Sequence, residues 1–201
     1  MKRLFALLPA LALLAACSRD PNVVKRKFVE SGNKYFQSGK YREASIMYRT
    51  ALRKDARFGE AYYGEGQSQL KLGNAFLAVV NLRRALELMP ESPFRNDARV
   101  KLGDLLVRYL EQVRLDRQIL AEAVSLSDDL MALDPHSFDS LKLKGEVGLL
   151  KAQELAGRGL KSDAGREARS ALTALHKPQW PIPTYIGFAR AANASAMQKE
   201  F

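Results

Sequence analysis

The chain is poor in the residues that most often do chemistry. It has one cysteine, Cys17, and two histidines, His136 and His176, in 201 residues. A single thiol excludes an internal disulfide framework and a multi-cysteine metal site. Isolated imidazoles do not make a ligand set: His136 sits in an Asp134-Pro135-His136-Ser137 turn, and His176 near a predicted helix end, where it suits the last carbonyls. HExxH, a glycine-rich phosphate loop and GxSxG are all missing, and no carboxylate pair stands out for acid-base work. The expectation is a protein with no catalytic residue, no metal and no cofactor. Nor is there a run long enough to cross a bilayer near the start: Leu4 to Ala16 is thirteen uncharged residues, against the roughly 20 that a spanning helix needs.

Positive charge is in excess, with a formal net charge of +10 that becomes +8 without Lys2 and Arg3. It is not arranged as a stripe. Lys151, Glu154, Arg158, Lys161, Asp163, Arg166, Glu167 and Arg169 mix the two signs, which reads as a solvated surface and not as a nucleic-acid footprint. With 47% hydrophobic and 27% charged residues the chain has the balance of a folded protein, which excludes disorder.

What the sequence does contain begins at residue 1. Met1-Lys2-Arg3 is a positive region, Leu4 to Ala16 an apolar one, and Ala15-Ala16 a small pair before Cys17, the order of a signal peptide. Leu14-Ala15-Ala16-Cys17 resembles the bacterial lipobox. That resemblance implies removal of residues 1–16, lipidation of Cys17 and a membrane anchor, with residues 17–24 as a short polar tether. In enteric-type lipoproteins a serine after the cysteine, here Ser18, points to the outer membrane. The expected location is thus the bacterial cell envelope, at the periplasmic face of the outer membrane. Lys25-Arg26-Lys27 then falls within reach of anionic headgroups, or else forms a solvated first helical turn.

The mature chain repeats. Phe28, Gly32, Gly39, Ala44, Tyr48 and Ala51 recur 34 residues later as Tyr62, Gly66, Gly73, Ala78, Leu82 and Ala85. Within each set the spacings of three and four residues put the apolar and small side chains on one face of a helix, and Gly39 and Gly73 each end a first helix. Units therefore run over 25–58 and 59–92. A third covers 96–137, eight residues longer than the period, its first helix extended through Leu106, Tyr109, Leu110 and Val113 and its second capped by Asp116. A fourth, degenerate unit covers 138–177, with a Gly157-Arg158-Gly159 break and Ser162 as cap. Residues 178–183, Pro-Gln-Trp-Pro-Ile-Pro, form a connector that cannot be helical, and 184–201 a terminal helix that either caps the array or begins a further repeat.

This pattern resembles the tetratricopeptide repeat (TPR), W-x2-L-G-x2-Y followed by A-x3-F, A and P. Unit one departs at Ser31 and Ala56, unit two at Glu65 and Gln69. The fold class expected is all-α, a right-handed α-solenoid of helix-turn-helix repeats. The resemblance further implies that the first helices line a concave groove for an extended peptide or a partner helix, with Arg26, Asn33, Phe36, Tyr63, Gln67 and Lys71 as its contact residues. The lysine-asparagine clamp of chaperone-binding members is not reproduced, since Val29 and Gly64 stand at two of its places. The function expected is a membrane-anchored periplasmic scaffold in an envelope assembly serving outer-membrane biogenesis, secretion or pilus formation, or exopolysaccharide export. Two other readings stay open: an accessory domain of a longer envelope enzyme, and a lipoprotein that binds polysaccharide directly through Tyr63 and Trp180.

Replacing Cys17 with alanine is expected to move the protein from the membrane to the soluble fraction and to abolish metabolic labelling with fatty acid. Membrane association and labelling that survive the change contradict the lipobox reading.

Overall fold

A computed structural model describes residues 21–113 and 115–175. Residues 1–16, Cys17, His176, the 178–183 connector with Trp180, and the 184–201 segment lie outside the described residues. All regular structure among the described residues is α-helical. The helices fall into two units, one ending at Pro90 and one starting at Glu91, each taken by itself.

In the first unit α1 (Pro21–Gln37) pairs with α2 (Tyr41–Lys54), and α3 (Gly59–Lys71) with α4 (Ala75–Leu88). Each helix packs on the next, and α1 also packs on α3. Gly39 and Gly73 take φ of +74° and +81°, the left-handed conformation that closes a helix. In both turns the amide that follows the glycine reaches back five residues, Lys40 to the Tyr35 carbonyl and Asn74 to the Gln69 carbonyl, each at 2.9 Å. Helix α1 starts at Pro21 and so takes in residues 21–24, expected as tether. Proline is suited to a first helical position because its ring presets φ and the N–H it lacks has no partner there.

Small residues set the spacing of this unit. Ala44, Ala51, Ala61, Ala78 and Ala85 are wholly buried, and the ring of Tyr48 is 2% exposed. Two glycines make room for that ring: a Cβ on Gly32 would lie 2.6 Å from it, and one on Gly64 would overlap it. Gly66 is in the same position against Leu82, the residue that replaces Tyr48 in the second repeat. At one end of the α1–α2 hairpin, Lys25 Nζ donates to Asp55 Oδ2 at 2.6 Å and lies over the Phe58 ring, 4.9 Å from its centre. Lys25 is thereby engaged within the fold. The Lys25 hydrogen bond holds the Asp55 carboxyl below its ordinary pKa, aided by the Arg57 backbone N–H.

In the second unit α5 (Pro93–Gln112), α6 (Arg117–Leu133), α7 (Phe138–Gly157) and α8 (Lys161–Leu175) pack in succession, and α5 also packs on α7. Helix α5 begins three residues ahead of the expected Asn96, because Ser92 caps it by accepting the Arg95 N–H and Pro93 takes the first position. It runs 20 residues, burying Leu106 and Leu110 and leaving Tyr109 exposed. Asp116 caps α6, its carboxylate accepting the N–H groups of Gln118 and Ile119 at 2.8 and 3.0 Å. Helix α8 starts at Lys161, so Ser162 lies within its first turn and is not the residue before it. Arg99, 6% exposed, meets Glu91 in a two-pronged contact of 2.8 and 2.9 Å and also donates to Asn96 Oδ1 at 2.7 Å. The hydrogen bonds between them, aided by the opposite charges, raise the guanidinium pKa and lower that of Glu91.

Because a Cβ at Gly64 would overlap the buried Tyr48 ring, a methyl there has no room. Gly64→Ala is expected to lower stability by about 1–3 kcal/mol, in spite of the roughly 1 kcal/mol that alanine gains over glycine in a helix. Urea denaturation measures it, and a Gly64→Ala protein as stable as the parent contradicts this packing.

Candidate functional site

Helices α1 and α3 carry the six residues expected to form a groove. Tyr63, Gln67 and Lys71 follow one another at four-residue spacing and so share one face of α3. That face is fixed because the other sides of the helix are used up: Ala61, Gly64, Glu65, Ser68 and Gln69 are buried. Tyr63 and Gln67 are half-buried and Lys71 is exposed. On the neighbouring α1, Arg26 and Asn33 are exposed. Asn33 is held from below, since its Oδ1 accepts the Tyr48 hydroxyl at 2.7 Å, which leaves the amide NH2 as the group it can offer. Phe36 is half-buried; it packs against the core around Tyr48 and meets Tyr41 edge-on, with ring centres 5.2 Å apart. Its ring is thus partly committed to the fold.

Val29 is buried and Gly64 is closed against the Tyr48 ring, so the two positions that depart from the chaperone-type clamp are occupied with packing.

The polar group inside this unit was missed from the sequence. Glu65 and Gln69 replace apolar residues of the repeat, and the structure pairs them: Gln69 Nε2 donates to Glu65 Oε1 at 2.8 Å, Ser45 Oγ donates to the same oxygen at 2.9 Å, and Asn74 Nδ2 donates to Gln69 Oε1 at 2.8 Å. The i, i+4 spacing of Glu65 and Gln69 was a visible signal, but Ser45 comes from the preceding repeat. Glu65 is 4% exposed, and its Oε2 has no hydrogen-bond donor among the described residues.

The unit also has a recess of about 570 Å³, walled by Arg49, Leu52 and Arg53 of α2 and Leu77 and Asn81 of α4, with Glu65 and Gln69 of α3 between them. None of the six expected groove residues lines it. In the second unit a recess of about 330 Å³ is bordered by Asp97, Asp134 and Asp139. Asp97 is paired with Lys101, and Asp134 accepts the His136 backbone N–H. Among the described residues no group of three His, Cys, Asp or Glu could hold a metal ion, and no helix is long and apolar enough to cross a membrane.

Comparison with solved structures identifies the class. The chain is similar to YrrB, described as a TPR protein with an unusual peptide-binding site: 20% identity, 86% of this chain and 76% of that one covered, TM-score 0.59. It also matches a thermophilic TPR protein of Thermus thermophilus at 21% identity over 86% of this chain and 87% of that one, TM-score 0.48. No protein-family model matches the sequence. No curated protein matches it either. At this identity the likeness to YrrB is one of fold, and the all-α fold of paired helical repeats is that of TPR proteins.

Tyr48 couples the groove side to the core, and its ionisation reports on both. Burial, and secondarily the Glu65 charge, push its pKa up to about 12 from 10.0. The unfolded chain therefore loses this proton first as pH rises, so the contribution of Tyr48 to stability is complete below about pH 10 and is lost between about 10 and 12. Urea titrations across that range should show a smaller alkaline loss in Tyr48→Phe than in the parent protein; identical losses contradict the assignment.

Proposed function

We propose that the chain is a protein-binding scaffold, held at the periplasmic face of the outer membrane by lipid on Cys17, and that an extended peptide or helix of an envelope protein docks along α1 and α3. The observation that carries this reading is the row Tyr63, Gln67 and Lys71, turned outward from a helix whose remaining sides are buried, beside Asn33 and Arg26 on the adjoining helix. Such a row combines an aromatic ring, amide groups that bond a peptide backbone, and two cations. The TPR fold supports a docking role, as does the peptide-binding site attributed to YrrB. The lipobox of residues 14–17 supports the anchor. The work expected of the chain is assembly of an envelope machine, with outer-membrane biogenesis, secretion or pilus formation, and polysaccharide export as the candidate pathways.

Crosslinking and affinity capture from envelope extracts test the reading. The parent protein should recover a reproducible partner, and Tyr63→Ala combined with Lys71→Glu should reduce its recovery about tenfold or more. Reproducible recovery of no partner contradicts the scaffold; undiminished recovery by the double variant contradicts the α1–α3 surface.

A further inference from the structure

The recess between α2 and α4 lies on the other side of α3 from the row just described. At about 100° per residue, Glu65 and Gln69 point roughly opposite to Tyr63 and Gln67. Its rim is cationic: Arg49 and Arg53 are exposed one turn apart, and Arg53 is steadied by a 2.6 Å hydrogen bond from Nη2 to Thr50 Oγ1. Of the residues that line it only Glu65, buried in the floor under three hydrogen-bonding side chains of its own group, is acidic, so the two arginines outnumber it. Helix α2 has only Glu43 and helix α4 only Glu87, which is paired with Arg84. Leu77 of the recess wall is 44% exposed, and Ile46 of α2 and Phe76 and Val80 of α4 are exposed on the same two helices. Phe76 and Val80 stand one turn apart on α4, an arrangement that displays apolar surface and contributes nothing to the unit's core.

We propose that this recess is a second docking site, which takes an acidic peptide segment bearing an apolar side chain: carboxylates meet Arg49 and Arg53, and the apolar group enters between Leu52 and Leu77. The volume suits a short segment. Charge complementarity favours an acidic occupant over a basic one. The polar floor of Glu65 and Gln69 favours a peptide over a lipid acyl chain, because hydrocarbon laid on polar side chains offers them no hydrogen bond, whereas a peptide carries N–H and C=O groups.

The site is tested with the full chain in detergent, by fluorescence anisotropy of a short labelled peptide of alternating glutamate and leucine, against a counterpart of lysine and leucine. The glutamate peptide should bind in a salt-sensitive manner and the lysine peptide should not. Arg49→Glu combined with Arg53→Glu, both at exposed positions, should weaken binding about tenfold or more, with helix content unchanged by circular dichroism. Lys71→Glu should leave it unaltered. Equal binding of the two peptides, no binding of the glutamate peptide, or equal binding by the parent and the double arginine variant overturns the proposal. If only Lys71→Glu weakens binding, the peptide sits on the α1–α3 row: this site is then refuted and the proposed function stands. Phosphatidylglycerol vesicles that bind the Cys17→Ala chain through Arg49 and Arg53, in the absence of peptide binding, assign the surface to lipid and likewise refute it.

Discussion

The first unit depends on one close fit, the ring of Tyr48 set against Gly32 of α1 and Gly64 of α3. A tyrosine of this size inside a three-helix contact can be accommodated only if two of the helices present no side chain to it. In return the ring fills the space between the backbones and sends its hydroxyl through to Asn33 on the outer face of α1. One residue therefore sets how far apart α1 and α3 stand and what lies between them. The row of Tyr63, Gln67 and Lys71 takes its orientation from this, because the sides of α3 that do not carry it are consumed by close packing.

Much of this was legible in the sequence, since small residues recur at a fixed period for a reason that period alone reveals. Gly32, Ala44, Tyr48 and Ala51 occupy the places the repeat assigns them, and Gly39 and Gly73 end their helices through a left-handed turn. Local chemistry was also readable where the partners are neighbours in sequence, as with Asp116 and the two amides it caps. Contacts between distant residues were not. Lys25 looks like a free surface cation until Asp55, thirty residues on, is placed beside it. Glu65 and Gln69 look like losses from the repeat pattern until Ser45 completes a buried hydrogen-bonded group. Likewise Arg49 and Arg53 acquire a shared wall with Leu77 only once α4 is in place. Helices α1 and α5 start earlier than expected because Pro21 and Pro93 are good first residues of a helix.

A repeat fold separates the groups that hold it together from those it displays, and the two sets here differ in chemistry. In the first unit buried alanines and glycines pack with Val29, Tyr48, Leu82 and Met89, whereas amides, cations and isolated aromatic or aliphatic side chains face outward on both α1–α3 and α2–α4. Such an arrangement suits a protein that meets others through its surface. In the second unit, Arg99 plays a comparable organising part by charge where the first uses shape, binding Glu91 and Asn96 at the start of α5.

The central claim is that the fit around Tyr48 fixes the α1–α3 surface. Native-state amide hydrogen exchange, comparing the parent chain with Tyr48→Ala, tests it most directly. Loss of the ring should raise the exchange rates of buried amides in α1, α2 and α3 together, including those of Tyr63 and Gln67 in the following repeat. If the increase is confined to the turns of α2 around position 48, and α3 keeps its protection, the surface does not depend on this ring and the account is contradicted.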